Sequence, residues 1–406
     1  MQTHVSSDAD RIVPQPAAWG AVFALSLGAF ALVASEFMPV SLLTPIASEL
    51  HITEGQAGQA ISVSGAFAML TSLFISSLAG SLDRKHLLLG LTALMILSGT
   101  IVAAAPDYPT FMAGRALIGV AIGGFWSMSA ATAMRLVPDR QVPRALAVLN
   151  GGNALATVIA APMGSFLGGL IGWRGAFFLV VPVAAIVLVW QAVSLPSMRT
   201  ESRSSPVTVF RLMGRPVVAL GMIAVSVFFM GQFTLFTYLR PFLETVAHVD
   251  VSTLSFMLLA MGAAGFVGTT LIGGFLKTGL YRTLIVIPAL MALTALMLVM
   301  ADWTLPMTAL LLACWGLFAT SAPVGWWTWV ARTLPRDAEA GGGLMVAIVQ
   351  LAITLGAVVG GLLFDASGHR ATFGASAALL ALAALLAFLT SRAGIAGMQR
   401  GQQPNS

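Results

Sequence analysis

The sequence predicts an all-α membrane protein with twelve transmembrane helices, arranged as two six-helix pseudo-repeats. Three observations lead to this fold: the composition, the spacing of the apolar runs and the distribution of basic residues between them. Hydrophobic residues make up 58% of the 406 residues and charged residues only 9%, whereas about a quarter of a soluble domain is charged. A chain with so few charges has lipid as the solvent for most of its surface.

Apolar runs of about 20 residues, the length needed to cross the hydrocarbon core, recur along the chain. They place spans near 19–43, 57–79, 87–105, 109–134, 145–170, 174–195, 217–239, 253–276, 283–301, 304–331, 341–364 and 371–391. The first run exceeds the apolar core of a signal peptide, so we expect a permanent span. The predicted units are a cytoplasmic tail (1–18), an N-terminal six-helix bundle (19–195), a cytoplasmic linker (196–216), a C-terminal six-helix bundle (217–391) and a second cytoplasmic tail (392–406).

Basic residues predict the orientation of these spans. If the amino terminus lies in the cytoplasm, the 20 Lys and Arg residues all fall in cytoplasmic segments except Arg115, Arg174, Arg240 and Arg370. This positive-inside pattern predicts a multi-pass membrane protein with both termini in the cytoplasm. The net charge of +5 does not indicate a nucleic-acid partner, because the basic residues are scattered over short loops and form no contiguous face.

Short segments recur between the two halves of the chain. Arg-Leu-Val-Pro at 135–138 matches Arg-Thr-Leu-Pro at 332–335, and Gly-Gly-Leu at 168–170 matches the same triplet at 360–362. A parallel repeat of six spans places a central cavity between two bundles. Glycines four residues apart also predict faces where helix backbones pack closely, as at Gly119 and Gly123, Gly164 and Gly168, and Gly356 and Gly360.

Two ionisable residues, Glu36 and Arg115, lie well inside predicted spans. A charge at the helix centre costs about 2.5–3.5 kcal/mol, so such residues face a cavity or a partner. Both lie at similar depth, which makes a pair between spans one and four plausible. We expect Glu36, with Arg115 beside it, to bind and release a proton as access to the central cavity changes. The alternative is a permanent structural ion pair.

Uncharged polar and aromatic residues within the apolar runs are the candidate substrate-binding groups. They are Asn153, Gln232, Tyr238, Trp326 and Gln350. Amides, a hydroxyl and an aromatic ring suit a neutral, hydroxylated solute. Each of these residues has the alternative role of joining neighbouring helices.

No metal, cofactor or enzymatic chemistry is predicted. The single cysteine, Cys314, lies in an apolar run, and the five histidines fall in predicted loops and tails without metal-ligand spacing.

Several motifs carry a family resemblance. Ala79 to Lys85 (Ala-Gly-Ser-Leu-Asp-Arg-Lys) resembles the loop motif of the major facilitator superfamily, and Ala161 to Gly164 (Ala-Pro-Met-Gly) resembles the fifth-helix motif of its proton antiporters. The segments at 36–45, 123–129, 232–241 and 323–329 are similar to those of bacterial purine ribonucleoside efflux pumps. The resemblance implies proton-driven export of nucleosides such as inosine or guanosine, with Asp83, Arg84 and Pro162 in gating roles.

The motifs also depart from the family pattern. His86-Leu-Leu follows Lys85 where further glycine and arginine are usual, and Ala161 replaces a glycine. Three alternatives therefore stay open: a sugar or multidrug efflux antiporter on the same scaffold, a proton-coupled importer, and a membrane receptor that transports nothing. The expected partners are a nucleoside-like small molecule, protons and the bilayer, with the protein a monomer.

Overall fold

The computed structural model describes residues 17–79, 82–198, 211–300, 304–334 and 338–401. Within those ranges the regular structure is helical. The helices are α1 (Trp19–Leu50), α2 (Glu54–Ala79), α3 (Arg84–Ala104), α4 (Tyr108–Arg135), α5 (Val142–Phe178), α6 (Val180–Ser194), α7 (Pro216–Phe236), α8 (Leu239–Thr245), α9 (Val251–Met300), α10 (Leu305–Thr333) and α11 (Ala338–Gly401), with a 3₁₀ turn at Asp139–Gln141. In this part of the chain, nine helical stretches are long and apolar enough to cross a membrane.

Three of the helices are interrupted by glycine. Helix α9 has 50 residues and would extend about 75 Å if straight, more than twice the roughly 30 Å of hydrocarbon in a bilayer. It breaks at Gly279 (φ −154°, ψ 56°). Helices α5 and α11 break at Gly172 (φ 74°) and Gly368 (φ 73°), a left-handed conformation that glycine adopts without steric penalty because it has no Cβ.

The breaks replace the loops that the sequence predicts between spans five and six, eight and nine, and eleven and twelve. The predicted second tail also begins inside α11, which continues to Gly401. Residues 1–16 of the predicted first tail and 199–210 of the predicted linker lie outside the described residues.

Buried apolar side chains form two clusters. The first draws mainly on α1 to α6 and includes the mutually T-shaped rings of Phe111, Trp173 and Phe177. The second draws mainly on α7 to α11 and includes Trp315 and Phe373. Phe177 and Phe373 follow Gly172 and Gly368 at the same spacing, and both are buried. The two groups of helices, α1–α6 and α7–α11, therefore each have a core of their own.

The glycine pairs lie where the sequence predicts close helix packing. A Cβ on Gly119 would come within 2.3 Å of the Ser64 carbonyl oxygen on α2, and one on Gly123 within 2.2 Å of the Ala68 carbonyl oxygen. Gly164 and Gly168 face α1, and Gly356 and Gly360 face α7, at 2.3–2.7 Å. Gly119, Gly123, Gly356 and Gly360 thus lie against the backbone of a neighbouring helix, as predicted, whereas Gly164 and Gly168 lie against the side chains of Ser41 and Leu42.

Replacing Gly119 with alanine is therefore expected to destabilise the protein, because the new methyl group meets backbone that cannot move without separating α2 from α4. The expected loss is about 1–3 kcal/mol, the usual effect of overpacking, seen as a lower thermal midpoint in detergent. Gly90→Ala on α3 is the matched control, since nothing lies within 4 Å of its added Cβ. Equal midpoints for the two variants would contradict the packing account.

The two groups of helices meet along one end of the bundle, where α2 packs against α11 and α5 against α9. We call this the closed end; α1 ends there at Leu50 and α2 begins there at Glu54. Ser62 and Thr354 cross the contact with two reciprocal hydrogen bonds from hydroxyl to backbone carbonyl, each 3.2 Å long. Gly65 on α2 also lies in this contact, because a Cβ there would come within 2.4 Å of the Thr354 hydroxyl oxygen on α11.

Candidate functional site

The site begins with two prolines inside α1. Pro39 and Pro45 have no backbone N–H, so the carbonyls four residues earlier, at Ser35 and Ser41, lose their helical donor. In a membrane such carbonyls need another partner, because no water is available in the hydrocarbon core. In this structure each of the two carbonyls accepts a hydrogen bond from an arginine.

Arg115 on α4 supplies the first donor. Its side chain is completely buried, and its Nη1 donates to the Ser35 carbonyl at 2.8 Å. The same guanidinium donates to the carbonyls of Glu36 (3.0 Å) and Ala60 (3.2 Å) and to the Ser64 hydroxyl (3.2 Å). Arg115 thus joins α4 to α1 and α2, which fixes the backbone on which Glu36 stands.

Glu36 is 4% exposed, and its carboxylate reaches the other group of helices. Gln350 on α11 donates from Nε2 to Glu36 Oε1 over 3.4 Å, a long hydrogen bond that is easily broken. The contact predicted between Glu36 and Arg115 is present, but the hydrogen bond goes to the backbone carbonyl of Glu36. The carboxylate is therefore left to interact with the second group of helices.

Two of the predicted substrate-binding residues have an unsatisfied amide oxygen. Among the described residues, Oε1 of Gln350 and Oε1 of Gln232 are buried without a hydrogen-bond partner. Phe37, next to Glu36, stacks on Phe233, next to Gln232, with ring centroids 5.6 Å apart. The half-buried Asn153 lies on α5. The amide oxygens of Gln232 and Gln350 are therefore hydrogen-bond acceptors available to a ligand.

Tyr238 and Trp326 are placed differently. The Tyr238 hydroxyl donates to the Ala357 carbonyl at 2.8 Å, its ring stacks on Phe364, and a Cβ on Gly58 would come within 2.2 Å of its oxygen. Tyr238 therefore fills the contact of α2 and α11 at the closed end. Trp326 is 2% exposed and lies within the second core cluster. In this conformation neither side chain faces open space.

Two of the residues with predicted gating roles lie at the start of α3. Asp83 caps that helix and accepts hydrogen bonds from the Lys85 and Met198 backbone amides and from the Ser197 hydroxyl. Burial raises the pKa of Asp83, but these hydrogen bonds outweigh it and lower the pKa to about 2. At pH values above the pKa of Asp83 in the unfolded chain, these contacts stabilise the folded protein. This stabilisation is lost as the pH falls from that value towards 2. The Arg84 amide donates to the Met198 carbonyl at 3.1 Å.

Pro162, the third residue with a predicted gating role, is buried in α5. It removes the helical donor of the Val158 carbonyl, and that carbonyl lies against Gly262 on α9, where a Cβ would come within 2.6 Å. Pro162 therefore lies one turn from a contact between the two groups of helices.

Sequence reasoning missed the polar residues that hold the closed end together. The Asp365 carboxylate on α11 accepts hydrogen bonds from the Thr53 hydroxyl (2.6 Å) and the Gly55 amide (2.9 Å) at the start of α2. Arg240 falls between the predicted spans 217–239 and 253–276, whereas in the structure it lies in α8 and is 6% exposed. Pro45 is the feature of the sequence that could have indicated this contact, because it leaves the Ser41 carbonyl without a helical donor and so able to accept a hydrogen bond from an arginine.

Long apolar helices in two groups, with a buried acid at their junction and a buried base beside it in one group, define a multi-pass membrane protein of the transporter class. A sequence profile described as Major Facilitator Superfamily matches residues 25–342. The chain belongs to this superfamily, as its motifs indicate.

Relatives of known name match nearly the whole chain. A Pseudomonas aeruginosa protein named "Transcription regulatory protein OpdE" is 62% identical over 97% of this chain and 98% of its own length. The "Purine ribonucleoside efflux pump NepI" of Salmonella paratyphi B is 42% identical over 91% of this chain and 93% of its own length. The resemblance to purine ribonucleoside efflux pumps is thereby confirmed.

Solved structures share the fold. The crystal structure of a D-xylose-proton symporter superposes with a TM-score of 0.73 over 91% of this chain and 97% of the symporter, at 16% sequence identity. At this identity the likeness shows a shared fold and nothing further.

Proposed function

We propose that this protein is a proton-coupled antiporter that exports purine ribonucleosides such as inosine and guanosine. The observation that carries the proposal is the buried Glu36 carboxylate, held by Arg115 through its backbone and linked to Gln350 of the other helix group. A 42% identical relative that bears the name of a purine ribonucleoside efflux pump supports the substrate class.

The proposed topology has twelve spans in two six-helix units, 19–195 and 217–391, joined by a cytoplasmic linker. Dividing the stretches Val142–Ser194, Val251–Met300 and Gly341–Ala393 at their glycine breaks turns nine apolar stretches into twelve spans. In the proposed orientation, which the positive-inside pattern supports, both termini lie in the cytoplasm of a bacterial inner membrane and the closed end lies outside. We propose that this conformation is closed to the outside and that the protein functions as a monomer.

The proposed cycle uses Glu36 as the proton carrier. When the closed end opens, Glu36 separates from Gln350, takes a proton from outside and loses its charge. When the closed end re-forms, the proton leaves towards the cytoplasm and the carboxylate meets Gln350 again. Exchange of one proton for one neutral nucleoside moves net charge, so the membrane potential contributes to export.

The proposed substrate contacts are the free amide oxygens of Gln232 and Gln350 together with Asn153. Ribose hydroxyls and the base N–H groups are donors and match such acceptors. The rings of Phe37 and Phe233 provide an apolar surface for a planar base. Because Tyr238 and Trp326 are buried in this conformation, we propose that Tyr238 closes the outer side and that Trp326 packs the core beneath the site.

Uptake of labelled inosine into everted membrane vesicles tests the proposal. With the vesicle lumen acidified, inosine is expected to accumulate, and collapsing the pH gradient is expected to abolish accumulation. Guanosine should compete, whereas xylose and a hydrophobic cationic dye should not. Accumulation of the sugar or the dye instead of inosine would favour the other efflux functions, and accumulation only under the opposite gradient would favour import.

A second candidate function follows from the name of the 62% identical relative, which refers to regulation of transcription. We propose that any such effect is indirect and follows from a changed concentration of the exported metabolite in the cytoplasm. A Glu36→Gln variant that loses transport but keeps the effect on transcription would instead favour a receptor-like role.

A further inference from the structure

Arg240 is the second arginine bound to α1, and its surroundings differ from those of Arg115. It lies on the short helix α8, in the second helix group, with its side chain 7% exposed. Its Nη1 donates to the Ser41 carbonyl of α1, in the first helix group. Its Nε and Nη2 contact Oε1 of Glu244, one turn along α8, at 2.8 Å and 2.7 Å.

The Ser41 carbonyl is available only because Pro45 has no N–H to donate to it. The corresponding pair, Arg115 and the Ser35 carbonyl freed by Pro39, lies within one helix group. Helix α1 therefore presents two vacated carbonyls to two arginines. One contact stays intact when the helix groups move as rigid bodies, and the other must break when they separate at the closed end.

Glu244 makes that separation possible. If Arg240 left Ser41 without another partner, a desolvated cation would remain near the membrane interior, which is strongly unfavourable. Because Glu244 belongs to the same short helix, it accompanies Arg240 in either conformation. The cation therefore exchanges one acceptor, the Ser41 carbonyl, and keeps the other.

We propose that Arg240 is the lock of the closed end: its hydrogen bond to the proline-vacated Ser41 carbonyl holds the two helix groups together in the closed conformation, and Glu244 retains the arginine when that bond breaks. The proposal rests on the proposed function only in requiring that the protein alternates between two conformations. It adds Arg240, Glu244 and Pro45 to the residues that set the balance between them.

The test measures the opening of the closed end without any substrate. Spin labels are placed at Ser48→Cys and Ser252→Cys, two exposed positions at the closed end on α1 and α9, in a Cys314→Ala background. Pulsed electron paramagnetic resonance on the protein in lipid nanodiscs then gives the distance distribution between the two groups. Arg240→Ala is expected to raise the population with the longer distance about tenfold, the effect of losing one charge-assisted hydrogen bond.

Two comparisons make the result specific. Arg174→Ala is the matched control, because Arg174 also binds a glutamate, Glu49, and a backbone carbonyl, Ala105, but all within one helix group; its distance distribution should stay unchanged. Pro45→Ala restores an N–H for Ser41 and should open the closed end as Arg240→Ala does, with no additive effect in the double variant.

The proposal is overturned if Arg240→Ala leaves the distribution unchanged, if Arg174→Ala changes it equally, or if the double variant shows the sum of the single effects. Since the distances need no transported molecule, failure of the nucleoside assignment would leave this result intact. Conversely, confirmed inosine export with an unchanged distribution in Arg240→Ala would reject the lock alone.

Discussion

Replacing Glu36 with glutamine is expected to abolish proton-driven accumulation while leaving exchange of substrate across the membrane. Glutamine keeps the shape and hydrogen-bonding capacity of the protonated acid, so the contact with Gln350 survives, but no proton is carried. Coupling to one proton supports about a tenfold concentration ratio per pH unit. In everted vesicles we expect this ratio to fall to one for Glu36→Gln, with counterflow of labelled against unlabelled inosine retained.

The matched control is Glu49→Gln. Glu49 lies on the same helix, α1, but at its exposed end, where it pairs with Arg174 and accepts a hydrogen bond from Trp173 Nε1 at 2.5 Å. Coupling should survive in this variant. Accumulation by Glu36→Gln at the unmodified level would remove Glu36 as the proton carrier, and loss of counterflow as well would indicate a structural role.

Replacing Arg115 with methionine is expected to destabilise the protein severely. The change removes four hydrogen bonds that join α4 to α1 and α2 and leaves the Ser35 carbonyl without a donor. Losing one member of a buried polar network typically costs about 3–5 kcal/mol. We expect a much lower thermal midpoint in detergent and little folded protein in the membrane fraction.

A second substitution tests the physical reason for this loss. Pro39→Ala supplies the missing N–H to Ser35, so it should recover about 1 kcal/mol in the Arg115→Met background. The gain should be smaller in the presence of Arg115, which already occupies that carbonyl. An equal gain in both backgrounds would show that relief of the proline kink, rather than the vacated carbonyl, explains the change.

Composition and spacing were sufficient to predict the membrane class and the close packing at Gly119 and Gly123, because both depend on local sequence. The proximity of Glu36 and Arg115 also followed from matched depth in the bilayer. The sequence did not predict that Arg115 donates to backbone carbonyls of α1 and not to the Glu36 carboxylate. That choice depends on a proline four residues beyond the acceptor and on the rotation of α1 against α4, which is set by packing.

The closed end was beyond sequence reasoning for a different reason. Thr53 and Asp365 are separated by 312 residues, and each looks like an ordinary polar residue at a helix end. Only the meeting of two helix groups turns the Asp365 carboxylate into a cap for α2. For the same reason the polarity of Tyr238 identified it as important, but not as a residue enclosed between α2 and α11.

The two prolines of α1 also determine the order in which the molecule can be completed. During synthesis α1 enters the bilayer before either of its arginine partners exists: the ribosome must add 80 residues after Ser35 to reach Arg115 and 199 after Ser41 to reach Arg240. Until then, in the nascent chain, the Ser35 and Ser41 carbonyl oxygens of α1 lack their arginine donors. The hydrogen bonding of α1 is therefore completed in two stages, first when α4 brings Arg115 and later when α8 brings Arg240.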